Sequence, residues 1–340
     1  IADGDWSSDV CSSDLATTFS TDFRKAATVV EEEIPDPGPQ EVLVRNKYAA
    51  VNATDVNISA GRYEADAELP LDLGVEAAGI VVEAGDEVRH LERGDAVVTS
   101  SLGGGYREYN VVHASNAIQV PQPSPEALSI MVSGLTASIA LEEVGNLGHD
   151  ETVLVTAAAG GTGQYAVQLA QQAGNHVVGT CGTEEKVSFL EELGCDRPIQ
   201  YRNEDVAGVL AEEYPDGVDL VYESVGGELF DTCVEALGHR GRLLSIGYVS
   251  EYKDGPEPVT DERIYTTLIA KSASIRGFFL PHFAEHFRSH MNKLLRQYRG
   301  GTLDIAIDDN VFEGVEAVPD AVEHLQSGES VGKVVVRFPE

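Results

Sequence analysis

The chain has 340 residues, 42% of them hydrophobic, and carries 57 acidic against 23 basic side chains, a formal net charge of −34. That length holds two domains and a large core, and the charge excludes nucleic-acid phosphates and anionic membranes as natural partners. No membrane-spanning apolar run, secretory signal or lipidation motif is expected, which points to a cytoplasmic protein.

Acidic residues recur along the whole chain and only seven residues are lysines. This reads as an acidic solvated surface, whose stability should rise with salt as screening weakens self-repulsion. A stability indifferent to salt would exclude that reading. Cys11, Cys181, Cys195 and Cys233 show no C-x-x-C or metal-type spacing and read as reduced thiols.

Residues 1–15 carry a near-tandem Ser-Ser-Asp repeat with neither helical nor strand period. They read as an extraneous string, similar to a translated sequencing adapter, or as a disordered tail that the fold does not need. Residues 16–133 follow as a β-rich domain. Short strands over 41–48, 79–84, 96–99 and 108–113, broken by Gly, Pro and Asp, predict a barrel-like unit.

After Pro121 the period changes. Helices over 126–132 and 135–144 lead into β/α alternation. Strands are expected at 152–156, 176–180, 218–222, 242–246 and 274–278. Helices are expected at 162–173, 184–193, 206–213 and 228–236. Such alternation implies a doubly wound parallel sheet with right-handed crossovers. Residues 134–281 thus form a Rossmann domain inserted into a discontinuous β-barrel domain. Residues 282–340 complete the latter with a helix (282–299), a strand (303–307), a helix (318–325) and a closing strand (333–338).

The strongest chemical signal is Val-Leu-Val-Thr-Ala-Ala-Ala-Gly-Gly-Thr-Gly over residues 153–163. A buried strand ends in small residues and a helix begins. Ala157, Gly160 and Gly163 fall on the dinucleotide spacing, with Gly161 and Thr162 between them, so the backbone can approach a pyrophosphate at a helix N-terminus. A purely structural glycine turn is the alternative. The second strand ends without the acid that holds an NAD ribose. Thr183 and Lys186 follow it instead and suit a 2′-phosphate, with Tyr201 at the next strand end. The reading is NADPH; Glu184 as a ribose ligand would instead mean NAD. Ser224, Ile246 and Tyr248 follow other strands and would line the nucleotide groove or form ordinary turns.

Several strings carry a family resemblance. They are residues 156–168, Gly-Cys-Asp-Arg-Pro-Ile at 194–199, Val-Tyr-Glu-Ser-Val-Gly-Gly at 221–227, 271–280, Val-Asn-Ala-Thr-Asp at 51–55 and Ser-Ala-Gly-Arg-Tyr at 59–63. From about residue 20 onward the chain resembles the medium-chain dehydrogenase/reductase superfamily in its zinc-free, quinone-reductase-like part. Within that part it resembles the 15-oxoprostaglandin 13-reductases, also called zinc-binding alcohol dehydrogenase domain-containing proteins.

The resemblance implies a GroES-like β domain, a Rossmann domain, NADPH and a homodimer. It places NADPH against Thr162, Lys186, Tyr201, Ser224, Ile246, Tyr252 and the loop Phe278, Phe279, Leu280. Ser330 stands where the family has Asn, and Gly182 where it often has Ser. Zinc-dependent relatives have Cys at the position of Asn52 and Gly-His-Glu at Gly74-Val75-Glu76, so no metal is expected. His282, His286 and His290 share one helix face at i, i+4 spacing and read as an exposed polar row, with metal ligation as the alternative.

Without a metal the favoured chemistry is conjugate reduction of an enone, with a quinone as the alternative acceptor and a non-catalytic NADPH-binding protein as a further one. An enolate needs a placed donor. The candidates are a cofactor ribose hydroxyl held by Tyr252, and the Asn52 amide. Tyr63, Asp55 and Phe278 would line the substrate pocket. Structural readings stand beside these: Asn52 as a helix cap, Asp55 as a loop-positioning residue, and Tyr252 as an exposed loop aromatic.

Overall fold

A computed structural model describes residues 10–63, 68–101, 103–255, 258–259 and 263–339. The chain forms two compact units. One comprises the chain up to Met131 with Ile307–Ser327 and Val334–Glu340; the other comprises Val132–Ala306 and Gly328–Lys333.

In the first unit a seven-stranded sheet runs in the order Phe312–Glu313, Val335–Arg337, Glu41–Ala50, Glu76–Ala84, Ala96–Ser100, Ala117–Gln119, with Tyr109–His113 paired to Glu41–Ala50 off this path. Alternation decides which side chains enter the core. Val42, Val44, Val81, Val97 and Val112 point inward as one apolar cluster, while intervening residues such as Glu83 stay outside, as a half-buried strand requires. The C-terminal strand Val335–Arg337 pairs antiparallel with Tyr48–Ala50, so the end of the chain closes the unit that its beginning opened.

The N-terminal expectation needs correction. Residues 1–9 lie outside the described residues, but Val10–Ala16 is a strand, paired along its length with Ala27–Glu33 and at its end with Leu71–Asp72. Its backbone is fully used, and Cys11, Leu15 and Ala16 are buried. Its polar residues suit the position badly. Ser13 and Asp14 are buried as well, and neither Ser13 Oγ nor either Asp14 carboxylate oxygen has a hydrogen-bond partner.

Burial pushes the Asp14 carboxyl up to about 7, with the nearby Thr28 N–H offsetting only part of the cost. A carboxyl raised in the folded state stabilises most when protonated in both states. The stability is therefore complete below pH ~4 and is lost as pH rises towards ~7. Asp14→Val should add ~2–4 kcal/mol at neutral pH. The stability difference between variant and parent should shrink towards pH 4. Denaturant melts at pH 4 and pH 8 check this, and an equal difference at both would refute it.

The second unit is built on a six-stranded, all-parallel sheet in the order Arg197–Gln200, His176–Cys181, Thr152–Val155, Val218–Glu223, Leu237–Ser245, Ser274–Gly277. This is the 3-2-1-4-5-6 order of a Rossmann sheet. Leu154, Val178, Ile199, Val221 and Leu243 meet Leu210 and Val234 from the covering helices in one buried cluster. Their strands read as apolar runs because both faces are covered.

Three expectations change in this region. The helical run Pro125–Val144 is 20 residues long with a mean hydropathy of 1.4, long and apolar enough to cross a membrane, yet 78% of that window is buried within the protein. Its length was hidden because Ile130–Gly134 and Ala140–Val144 are π-helical turns that interrupt the 3.6-residue period. Helix Phe287–Arg299 belongs to the nucleotide unit, not to the β-rich one, because its apolar face packs on Leu135–Ile139.

No strand forms over 303–306. Its backbone bonds go instead to two glutamine side chains of helix Gly163–Gln172. Gln168 bonds Asp304 O and Asp304 N at 2.8 Å each. Gln164 bonds Ala306 O at 3.0 Å and Ala306 N at 2.7 Å. The two amides lie one helical turn apart and imitate the edge of a neighbouring strand.

Candidate cofactor-binding and active site

The turn after strand Thr152–Val155 shows why small residues stand there. Ala157 takes a left-handed φ of 47°. A Cβ on Gly163 would lie 2.4 Å from Ala157 O and 2.6 Å from Ala158 O, so only glycine lets the helix start this close to the strand. Helix Gly163–Gln172 then begins with no side chain capping its N-terminus. That leaves the positive end of its dipole for an anion.

The C-terminal segment closes onto this turn. Gly332 N donates to Ala159 O at 2.9 Å, and Gly160 bridges Gly332. Two residues that the sequence left unassigned or uncertain sit here. Ser330 is buried. Lys333 is also buried, its Cδ 3.3 Å from where a Gly161 Cβ would be and its Nζ bonded to Ser133 Oγ at 3.2 Å. Lys333 thus brings its side chain beside the glycine turn. The signal that could have found it is the scarcity of lysine in the chain.

The residues expected at a 2′-phosphate lie beyond the ends of His176–Cys181 and Arg197–Gln200. Thr183 is the N-cap of helix Glu184–Glu192, its hydroxyl accepting Lys186 N at 3.3 Å. The Lys186 side chain is buried, with Nζ on Gly328 O at 2.9 Å. Gly182 is covered by Tyr201, whose hydroxyl lies 2.8 Å from the missing Cβ, and by Arg202 Nε at 3.5 Å. Sequence reading missed Arg202, an exposed cation beside Tyr201. A serine at Gly182 would meet the Tyr201 hydroxyl, which explains why glycine fits here.

The central strand ends carry the remaining candidates. Ser224 N donates to Thr156 Oγ1 at 2.9 Å. Burial raises the pKa of the Glu223 carboxyl, and the Val225 and Gly226 N–H groups that it accepts, at 2.6 and 3.0 Å, lower it again. Glu223 is therefore committed to shaping the loop after its strand. Ile246 continues the next strand end, with its N–H on Glu223 O.

Tyr252 is not an exposed loop aromatic. It is 7% exposed, packs edge-on against Tyr248 at 4.7 Å, and brings its hydroxyl to 3.4 Å from the position of a Gly247 Cβ. Phe278 N bonds Ser245 O, and the Phe278 ring stacks on Phe283 at 5.1 Å. Phe279 is 41% exposed, and Leu280 opens the next turn.

The β-rich unit holds the other set. Asn52 N donates to Asp55 Oδ2 at 2.8 Å, and Tyr106 OH donates to the same oxygen at 2.6 Å. Burial, with the Asp55 carboxylate beside it, pushes the Tyr106 hydroxyl far above its ordinary pKa, so it remains a donor. Asp55 is fully buried and positions the Asn52 turn; that replaces the pocket-lining role expected for it.

Asn52 Nδ2 donates to Glu76 Oε1 at 2.9 Å and to Ala50 O at 3.3 Å. Both partners are acceptors, which fixes the amide orientation and leaves no N–H to give an enolate. Tyr63 is half exposed and pinned to helix Ala53–Ser59 by Thr54 Oγ1 at 2.6 Å and Asn57 Nδ2 at 3.3 Å.

Asn52, Val75 and a Glu76 engaged with Asn52 do not make the donor set that a catalytic zinc needs. All four cysteines are buried free thiols; burial raises each pKa, Cys195 to about 12, so none is a ready thiolate.

A Rossmann sheet with a small-residue turn after its first strand, and Lys186 and Arg202 beyond its second and third, is the architecture of a dinucleotide-dependent oxidoreductase of the NADPH type. Comparison with known proteins agrees. Residues 161–297 match the family model "Zinc-binding dehydrogenase", and residues 38–122 match "Alcohol dehydrogenase GroES-like domain". Prostaglandin reductase-3 of Mus musculus is 45% identical over 334 residues, 96% of this chain and 89% of that protein. A probable quinone oxidoreductase of Leishmania amazonensis is 43% identical, covering 94% of this chain and 96% of its own.

Among solved structures, Escherichia coli quinone oxidoreductase complexed with NADPH superposes with a TM-score of 0.85 at 28% identity, covering 96% of this chain and 99% of that one. The chain belongs to the medium-chain dehydrogenase/reductase superfamily, with a GroES-like and a Rossmann-like domain, and is quinone-oxidoreductase-like. It is an NADPH-dependent oxidoreductase acting on small molecules.

Proposed function

We propose that the protein reduces the carbon–carbon double bond of an α,β-unsaturated ketone. NADPH, when bound, would supply a hydride to the β carbon, and negative charge would collect on the substrate's carbonyl oxygen. Simple carbonyls need strong polarisation to accept hydride, whereas a conjugated acceptor spreads the charge and needs only a donor. The residues at 52 and 74–76 do not supply a metal site, which favours the conjugated substrate.

The observation that carries this reading is the buried Tyr252, its hydroxyl beside Gly247 just beyond strand Leu237–Ser245. Asn52 has spent its N–H groups, so Tyr252 is the stronger of the two candidates expected to support the developing oxyanion. Its role is to hold a cofactor ribose hydroxyl as the proximal donor, with water protonating the α carbon. Thr162, Lys186, Tyr201, Ser224, Ile246, Ser330 and the 278–280 loop hold NADPH, joined by Lys333 and Arg202. Phe278 lines the substrate pocket. The protein acts in the cytoplasm as a homodimer.

The 43% identical Leishmania relative named a probable quinone oxidoreductase favours a second reading, in which a quinone takes the hydride at the same site. NADPH oxidation with a medium-length enone and with a simple quinone separates the two. Turnover of the quinone alone refutes the enone reading.

Tyr252→Phe should lower kcat by about ten- to a hundredfold, less than the loss of a direct oxyanion donor, with little change in NADPH affinity. An unchanged kcat would remove Tyr252 from the reaction.

A further inference from the structure

Three metal-ligating side chains meet inside the nucleotide-binding unit, apart from the residues assigned to NADPH. Glu143 lies in the π-helical turn Ala140–Val144, His286 ends the turn Leu280–His286, and His290 lies one helical turn further on, in Phe287–Arg299. One ligand atom from each lies within 4.8 Å of the other two. His290 Nε2 is 3.3 Å and His286 Nδ1 3.5 Å from the same oxygen, Glu143 Oε1. Ligands held tetrahedrally at ~2.0–2.1 Å from one ion lie about 3.3–3.4 Å apart. Both distances lie close to that spacing and beyond the ~2.9 Å at which N–O hydrogen bonds centre.

The cluster is also oriented from behind. Ser138 Oγ lies 2.8 Å from His290 Nδ1, which leaves Nε2 turned towards Glu143. Metal-bound histidines are commonly held by their second nitrogen in this way. His290 is 5% exposed, so its ring is buried in place, against the expectation of an exposed histidine row. The side chains of His286 and Glu143 are 33% and 39% exposed, which gives a cation a way in and a position for water. The neighbouring Glu142 is paired with Lys293 and does not compete for the ion.

We propose that Glu143, His286 and His290 form a binding site for a first-row divalent cation of the zinc class, with water completing the tetrahedron. Two imidazoles with one carboxylate select such an ion over calcium or magnesium, which prefer all-oxygen sites. The ion joins the 140–144 turn to the 280–286 turn. Phe283 of the latter turn stacks on Phe278 of the proposed cofactor loop, so loading should also raise the melting temperature.

The test uses the full-length, tag-free protein, stripped by a chelator and titrated with Co²⁺ followed by its visible d–d absorption. One equivalent should bind with a tetrahedral spectrum and be displaced by Zn²⁺. Glu143→Gln and His286→Ala, both at partly exposed positions, should each weaken binding by at least about tenfold. Ser138→Ala should weaken it by about ten- to a hundredfold through loss of His290 orientation. NADPH oxidation by the metal-free variants should persist and shows that they fold. Absence of saturable micromolar uptake, an octahedral spectrum, or undiminished uptake by His286→Ala would each overturn the site.

Discussion

Lys186→Ala should weaken NADPH binding by about 10- to 150-fold, the worth of a hydrogen bond to a charged group of ~1.5–3 kcal/mol, and leave NADH binding nearly unchanged. In the free protein the ammonium is buried and already held on Gly328 O, so its position is set before the cofactor arrives. Exchanging one neutral carbonyl for a 2′-phosphate carrying nearly two charges is a large electrostatic gain, and NADH offers nothing to replace it. Arg202 is exposed, so Arg202→Ala should cost less and lose its effect in high salt. Dissociation constants for both cofactors from protein fluorescence check this. Equal losses for NADPH and NADH would contradict the assignment of the 2′-phosphate.

Gly163→Ala should abolish measurable NADPH binding and destabilise the fold by ~1–3 kcal/mol, the usual cost of overpacking. The added methyl meets two backbone carbonyls, at 2.4 and 2.6 Å, and neither can move unless the strand or the helix moves with it. Gly160→Ala provides the graded comparison. Its Cβ would meet only Ala157 O at 3.2 Å, so it should fold normally and bind NADPH with a smaller loss. Thermal melts with and without NADPH read both quantities. Wild-type binding by Gly163→Ala would mean that the turn does not seat the cofactor.

The turn proposed for the cofactor was legible in the chain as small residues between a buried strand and a helix. Lys186 stands a few residues beyond a strand of known type, an offset carried by local geometry, whereas its burial depends on Gly328 from far along the chain. The pocket side was less legible. Asn52 and Asp55 were expected beside substrate. Their orientation depends on Glu76 and Tyr106, which come from other strands and take up their hydrogen bonds. Lys333 and Arg202 escaped notice for the same reason. Lys333 comes to Gly161 from the far end of the chain, and Arg202 comes to Gly182 from the neighbouring strand end.

The amino-acid sequence by itself determined the alternating strands and helices, the small-residue turn, the NADPH preference and the net negative charge. Those depend on side-chain period, on φ preferences and on charge, all of which act over a few residues. Tertiary structure alone decided that Val10–Ala16 is a strand, that two glutamines take the place of one at 303–306, and that His290 turns inward to meet Glu143. Each of these depends on a partner brought close by folding, and a buried polar group is settled by what lies across from it rather than by its neighbours along the chain.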